Sequence, residues 1–209
     1  MTYKTHQMTA LGVTAGLLNL GFEPTRLFSE SFKPLLDQYL KLGQSYPIFT
    51  LEILPFFILA LVSFGALLPD LDHKDSYISK RLRPISFFVS FLTHRGPTHR
   101  VDYNIIFFGG ISFGLFMTNY LLASYIVFWL GIGSLLHIYG DMHTKSGVKI
   151  FGGKKGLHVL PKSLTFRTAS GTENFWLFVY FVIFICFMLN LYGMLNFETI
   201  YNSIISNFK

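Results

Sequence analysis

Apolar residues run in long blocks along this chain, and most blocks end on a small knot of aspartate or histidine. Residues 47–68 form one apolar stretch, interrupted only by Glu52. Residues 103–139 are nearly continuous apolar sequence. As one helix they would measure about 55 Å, too long for a hydrocarbon core of about 30 Å. The stretch is therefore predicted to fold back at Thr118-Asn119-Tyr120, giving spans near 103–118 and 121–139. Residues 175–195 supply another span. Residues 8–22 are shorter and rich in Gly, Ala and Thr; they read as a short fifth span or an interfacial helix, and no small-x-small cleavage site follows that would mark a signal peptide. The expected fold is all-α: a single membrane-embedded domain over 1–209, a polytopic bundle of four to five transmembrane helices.

Between the blocks, residues 23–46 read as an amphipathic external helix, with Leu35, Leu36, Tyr39 and Leu40 at helical spacing. Residues 84–93 are apolar but too short to span, and are expected to form an interfacial or re-entrant piece covering the site. The stretch 141–174 is Gly- and Lys-rich and reads as irregular, with a hairpin near Gly152-Gly153.

Charge orients this frame. On a five-span path, one side receives the N-terminus and the loops 69–102 and 140–174, and with them 13 of the 17 basic residues; Arg26, Lys33, Lys41 and Lys209 fall on the other. Basic loops mark the cytoplasmic side, so a multi-pass membrane protein is predicted, with the 69–102 and 140–174 loops in the cytoplasm. Composition agrees: the chain is 51% hydrophobic and only 13% charged, against about 25% charged in soluble domains. The formal charge of +6, in so apolar a chain, points to anionic lipid rather than nucleic acid. The single cysteine, Cys186, leaves no thiolate metal motif.

The polar knots fall on that same side. Leu-Leu-Pro-Asp70-Leu-Asp72-His73 closes the 47–68 block; Pro69 disfavours helix in the residue before it, so the acidic pair sits on a turn at the water interface. His94-Arg95-Gly-Pro-Thr98-His99 precedes the next span, with a Gly-Pro turn between two imidazoles and Thr98 placed to cap the following helix. His137-x-x-x-Asp141 puts two ligand types on one helix face. With His6 at the start of the first run, the candidate metal ligands are His6, Asp70, Asp72, His73, His94, His99, His137 and Asp141. His143 and His158 fall in the basic loop and read as surface residues. Glu52 lies far from the cluster and is not assigned to it.

Asp and neutral His bind Zn, Mn or Fe. Zinc is favoured here, and eight candidates allow one or two ions, with spare carboxylates orienting the histidines. The chemistry implied is hydrolysis. Arg95 suits a phosphate; Asp72 and Glu173 complete the candidate catalytic set, although Glu173 also reads as a helix N-terminal charge. The leading expectation is a membrane-bound hydrolase cleaving a phosphoester of a lipid or lipid-linked substrate, with membrane lipid and its anionic headgroups as partners. The alternative is a non-catalytic, metal-stabilised membrane scaffold or regulatory protein. A zincin would need His-Glu-x-x-His, which is absent, and a transporter would place its ligands near the midplane.

The ordered motifs LLPDLDH, HRGPTH and LLHIYGDMHTKSGV resemble the YdjM-like family of bacterial inner-membrane predicted metal-dependent hydrolases, over roughly residues 5 to 175. The resemblance implies a multi-pass protein of the bacterial inner membrane with functional positions at His6, Asp70, Asp72, His73, His94, Arg95, Thr98, His99, His137 and Asp141. It implies no substrate. Arg100 stands where the family pattern has a small Ser, and Lys145 replaces a Pro. Both add positive charge beside the site.

Overall fold

Runs of Leu, Ile and Phe without Pro or charge become helices because, in lipid, each backbone N–H and C=O must find its partner within the segment. A computed structural model describes residues 1–22, 54–89, 96–148, 157–161, 163–199 and 206. Three segments there are long and apolar enough to cross a membrane: Leu54–Asp72, Leu121–Asp141 and Gly171–Leu191. A shorter apolar helix covers Val101–Met117. Among the described residues the structure is helical, with two isolated bridges, Thr144 to Phe166 and Val148 to Leu157, in place of any strand.

We label the elements α1 (Tyr3–Asn19), α2 (Leu54–Gly65), a 3₁₀ turn over Leu68–Asp72, α3 (Tyr77–Arg81), α4 (Arg83–Val89), a 3₁₀ turn over Pro97–His99, α5 (Val101–Met117), α6 (Leu121–Asp141) and α7 (Gly171–Leu191). The expected fold-back is present: α5 ends at Met117, and Asn119 takes a positive φ of 60° before α6 begins. The first run is helical but shifted toward the N-terminus, over Tyr3–Asn19. Gly21, at φ 73°, turns the chain there; its N–H and that of Phe22 bond back to the carbonyls of Leu18 and Leu17. The last span begins at Gly171, because Ser170 caps it by accepting from the Glu173 N–H. Glu52, the amphipathic segment 23–46 and residues 47–53 lie outside the described residues, as do residues 90–95 and Gly152-Gly153.

α1 is the centre of the arrangement, packed against α7, α2 and α6. Its polarity follows from that place: Thr5, His6, Thr9 and Thr14 are all buried. α6 lies against α2 on one flank and α5 on another, around a core of Ala10, Ile58, Val62, Ala66, Tyr125 and Trp129. Lipid tails are as apolar as Leu, so small residues that let backbones meet hold such helices together. Gly65 and Gly133 do so here. A Cβ on Gly133 would lie 2.3 Å from the Val62 carbonyl oxygen, and one on Gly65 2.3 Å from that of Leu130. Outer faces carry exposed Phe56, Ile106, Phe113, Phe175 and Phe178, as lipid contact requires.

Candidate metal centre

Two turns and two helices bring their polar residues to one end of this bundle. α1 carries His6. The 3₁₀ turn after α2 carries Asp70 and Asp72, with Pro69 near its start. The Gly96-Pro97 turn presents His99. His137 and Asp141 stand one turn apart at the end of α6. The turn bearing the acids is held from below: the buried Ser79 hydroxyl donates to the carbonyls of Asp70 and Leu71, and that of Ser86 to Leu71, each at 3.2 Å.

Five side chains converge. His6, Asp70 and His137 form one potential metal-binding triad, and His99, His137 and Asp141 another; the ligand atoms within each lie within 4.8 Å of one another. The Nε2 atoms of His99 and His137 face each other at 3.3 Å. Asp70 Oδ1 is 3.7 Å from both, and Asp141 Oδ2 is 3.9 and 3.8 Å from them. Tetrahedral zinc, bound at about 2.0–2.1 Å, spaces its ligands about 3.3 Å apart, so this set needs little contraction to close on an ion.

The outer nitrogens of both rings are committed. His137 Nδ1 donates to the Ala66 carbonyl at 2.7 Å. Thr98 Oγ1 gives its proton to Asp72 Oδ2 at 2.6 Å and sits 3.1 Å from His99 Nδ1, with Asp72 Oδ2 3.4 Å from that same nitrogen. The His99 Nδ1–H therefore points at the Thr98–Asp72 pair, and its Nε2 lone pair faces that of His137. Two lone pairs at 3.3 Å repel unless a cation lies between them. Burial alone would lower the His99 pKa, but the Asp70 and Asp72 carboxylates beside it overcome this and raise it to about 9. His6 stacks on His137 with ring centroids 3.6 Å apart. Its Nδ1 is buried without a hydrogen-bond partner, an orphaned donor atom at the edge of a ligand set. These residues fit a metal ion.

The eight expected ligands thus divide. His6, Asp70, His99, His137 and Asp141 come together. Asp72 lies beside His99 on the far side from the other ligands, its side chain fully buried. His73 is exposed and belongs to neither triad. His94 and Arg95 lie outside the described residues. Glu173 is 1% exposed; Oε1 accepts the Thr2 N–H at 2.6 Å and Oε2 the Ala169 N–H at 2.5 Å. It straps α1 to the start of α7, and Glu173→Ala is expected to strand both backbone donors, costing about 1–3 kcal/mol each; a thermal melt against wild type reads this. Thr98 caps no helix. Its hydroxyl serves Asp72 instead, and α5 starts without a side-chain cap.

His143 corrects the surface reading of the sequence. It is 2% exposed, donates from Nδ1 to the Tyr139 carbonyl at 3.0 Å and accepts at Nε2 from the Tyr180 hydroxyl at 3.2 Å, with burial lowering its pKa. The aromatic residues of α7 that bury it, Trp176 and Tyr180, were visible only as span. His158 does lie near the surface, bonding the Lys145 carbonyl.

Carboxylates that hold an imidazole's outer N–H fix the ring for metal binding, and their loss typically costs 10–100-fold in affinity. Asp72→Asn is expected to weaken metal binding in that range with the fold intact. Titration of the purified protein with Co²⁺ or Zn²⁺ measures it.

No curated protein and no solved structure matches this chain. A family model described as YdjM inner membrane protein matches residues 1–197.

Proposed function

The chain belongs to the YdjM inner membrane protein family, and on that premise we propose that it is a membrane-bound hydrolase that uses one divalent metal ion to cleave a phosphoester of a lipid or lipid-linked substrate. The observation that carries the reading is the pair of facing Nε2 atoms of His99 and His137, 3.3 Å apart, with both outer nitrogens committed elsewhere.

The same atoms support one ion rather than two. His137 belongs to both triads, and with its Nδ1 held by Ala66 it offers only Nε2. Both triads cannot be filled through that one nitrogen. His, Asp and the absence of thiolate favour zinc, with manganese or iron as the other ions such ligands accept. A bound ion supplies Lewis-acid polarisation of a phosphoryl oxygen and lowers the pKa of water.

The chain's own residues arrange the rest. Asp72 and Thr98 orient His99, Ala66 orients His137, and Asp70 has the most exposed side chain of the five ligands, at 23%. Substrate therefore approaches past Asp70. Around that end lie exposed Lys74, Lys80, Arg81, Arg83, Lys145 and Arg167, suited to anionic headgroups. Ile85, Phe87 and Phe88 of α4 are exposed beside them, as in a segment lying at the membrane surface. Arg95, four positions before His99, is assigned to the substrate phosphate. We place α1 and α5 across the membrane with the three longer spans, five in all, with the site facing the cytoplasm, because 13 of 17 basic residues then fall inside.

The rival is a metal-stabilised scaffold, favoured by the near-complete burial of His6, His137 and Asp141. Turnover decides between them. The metal-loaded protein, reconstituted in liposomes, is assayed for phosphate or headgroup release from a panel of phospholipids and polyprenyl phosphates, beside His99→Ala. Release that is lost in the variant supports the hydrolase. Bound metal with no release from any substrate in the panel supports the scaffold.

A further inference from the structure

The helix that follows the His99 turn is not a regular α-helix. Over Ile105–Gly109 it widens into a π-helical turn, a feature frequent at functional sites. Beside it, between α5 and α6, lies an apolar groove of about 150 Å³, lined by Ile105, Phe108 and Gly109 on one wall and Ile132 and Leu135 on the other, with Asn104 at one end. At about 1.5 Å per residue the α6 wall runs for roughly 10 Å from Leu135 to Phe128, away from the metal centre.

The groove has one polar end, and that end is tied to the site. Asn104 Nδ2 donates to the carbonyls of Thr98 and Arg100 at 2.8 Å, so it touches the turn that carries His99. Its Oδ1 accepts from Ser134 Oγ at 2.5 Å, and Ser134 lies three residues before His137, on the same face of α6. Along the α5 wall, Ile105 and its neighbours Ile106, Phe107 and Ile111 are all exposed on the membrane-facing surface. An apolar groove beside lipid-exposed residues, ending at a polar residue tied to the turn that carries His99, matches a molecule with a hydrocarbon tail and a polar head.

We propose that this groove seats one acyl chain of a membrane phospholipid, holding the lipid so that its headgroup reaches the metal centre. The inference rests on the lipid phosphoester reading and deepens it: the substrate is an acyl lipid, selected by a chain lying between α5 and α6.

Gly109 offers a clean test, because a Cβ there meets no atom within 4 Å. Gly109 lines the groove, and Gly109→Leu adds side-chain volume at that wall. Gly114 is equally open and does not line the groove, so Gly114→Leu is the matched control. The full-length protein is placed in nanodiscs of phosphatidylethanolamine and phosphatidylglycerol doped with a diazirine-acyl phosphatidylglycerol. After irradiation, adducts are mapped by peptide mass spectrometry. Wild type and Gly114→Leu are expected to concentrate adducts at residues 104–109 and 128–135, and Gly109→Leu to lose them at least fivefold. Adducts spread evenly over exposed positions such as Phe113 and Phe178 in wild type would overturn the proposal, and so would adducts that persist in Gly109→Leu. Metal content, measured on the same samples, separates the two readings: groove labelling without metal sinks the hydrolase alone, and metal without groove labelling sinks the acyl seat alone.

Discussion

His137→Ala is expected to empty the metal centre, taking bound zinc from about one equivalent to background, while His6→Ala leaves a measurable fraction bound. The difference follows from how the two triads share ligands. His137 contributes to both, whereas His99, His137 and Asp141 remain a complete three-ligand set without His6. Three protein ligands are what a catalytic zinc requires. Loss of His137 removes the only imidazole common to both sets, so the effect exceeds the 10–100-fold expected of an outer partner such as Asp72. The alanine also leaves the Ala66 carbonyl without its donor, a cost of about 1–3 kcal/mol for a buried acceptor. Circular dichroism on the same preparation separates metal loss from unfolding. Equal metal in His137→Ala and wild type would place the ion elsewhere.

The second large effect is one of packing. Gly133→Ala adds a single methyl group, yet its Cβ would stand 2.3 Å from the Val62 oxygen, 2.8 Å from Ala66 N and 2.9 Å from Gly65 Cα. All three are backbone atoms, so no side chain can swing aside, and α2 must move away from α6. Overpacking typically costs about 1–3 kcal/mol, and a backbone-to-backbone clash belongs at the upper end. The consequence reaches the site, because Ala66 holds His137, and Asp70 follows four residues later. Gly133→Ala is therefore expected to lower the thermal midpoint and weaken metal binding together. Gly110→Ala, where an added Cβ meets nothing within 4 Å, is expected to change neither. A Gly133→Ala protein with wild-type melting and wild-type metal affinity would contradict the close α2–α6 contact.

Much of this was legible in the sequence, for a physical reason. A membrane forces apolar runs into helices and polar residues toward their ends, so Asp70, His99, His137 and Asp141 stand out as candidate ligands at span termini, and the structure brings them together; the fold-back at Asn119 follows from length alone. His6 was legible only through topology, since α1 is too rich in Thr and Gly to stand out as a span. Side-chain direction was not legible. Asp72 and His73 sit one and two positions past Leu71, but the turn sends one behind His99 and the other to the surface. The role of Thr98 depends on Asp72, 26 residues away. Likewise, His143 reads as a loop residue until the aromatic face of α7 closes over it, and the meeting of Gly65 with Gly133 appears only once α2 and α6 are paired. Glu173 showed its capping pattern with Ser170, yet its strap to Thr2 needs the N-terminus folded against α7.

Whether these five residues hold a metal ion is decided by elemental analysis of the detergent-purified protein, beside an Asp70→Ala/His99→Ala double variant that remains helical. About one equivalent of zinc, or of manganese or iron, is expected in the wild type and background levels in the variant. No metal in the wild type, even after reconstitution with each ion in turn, would contradict a metal centre at these residues.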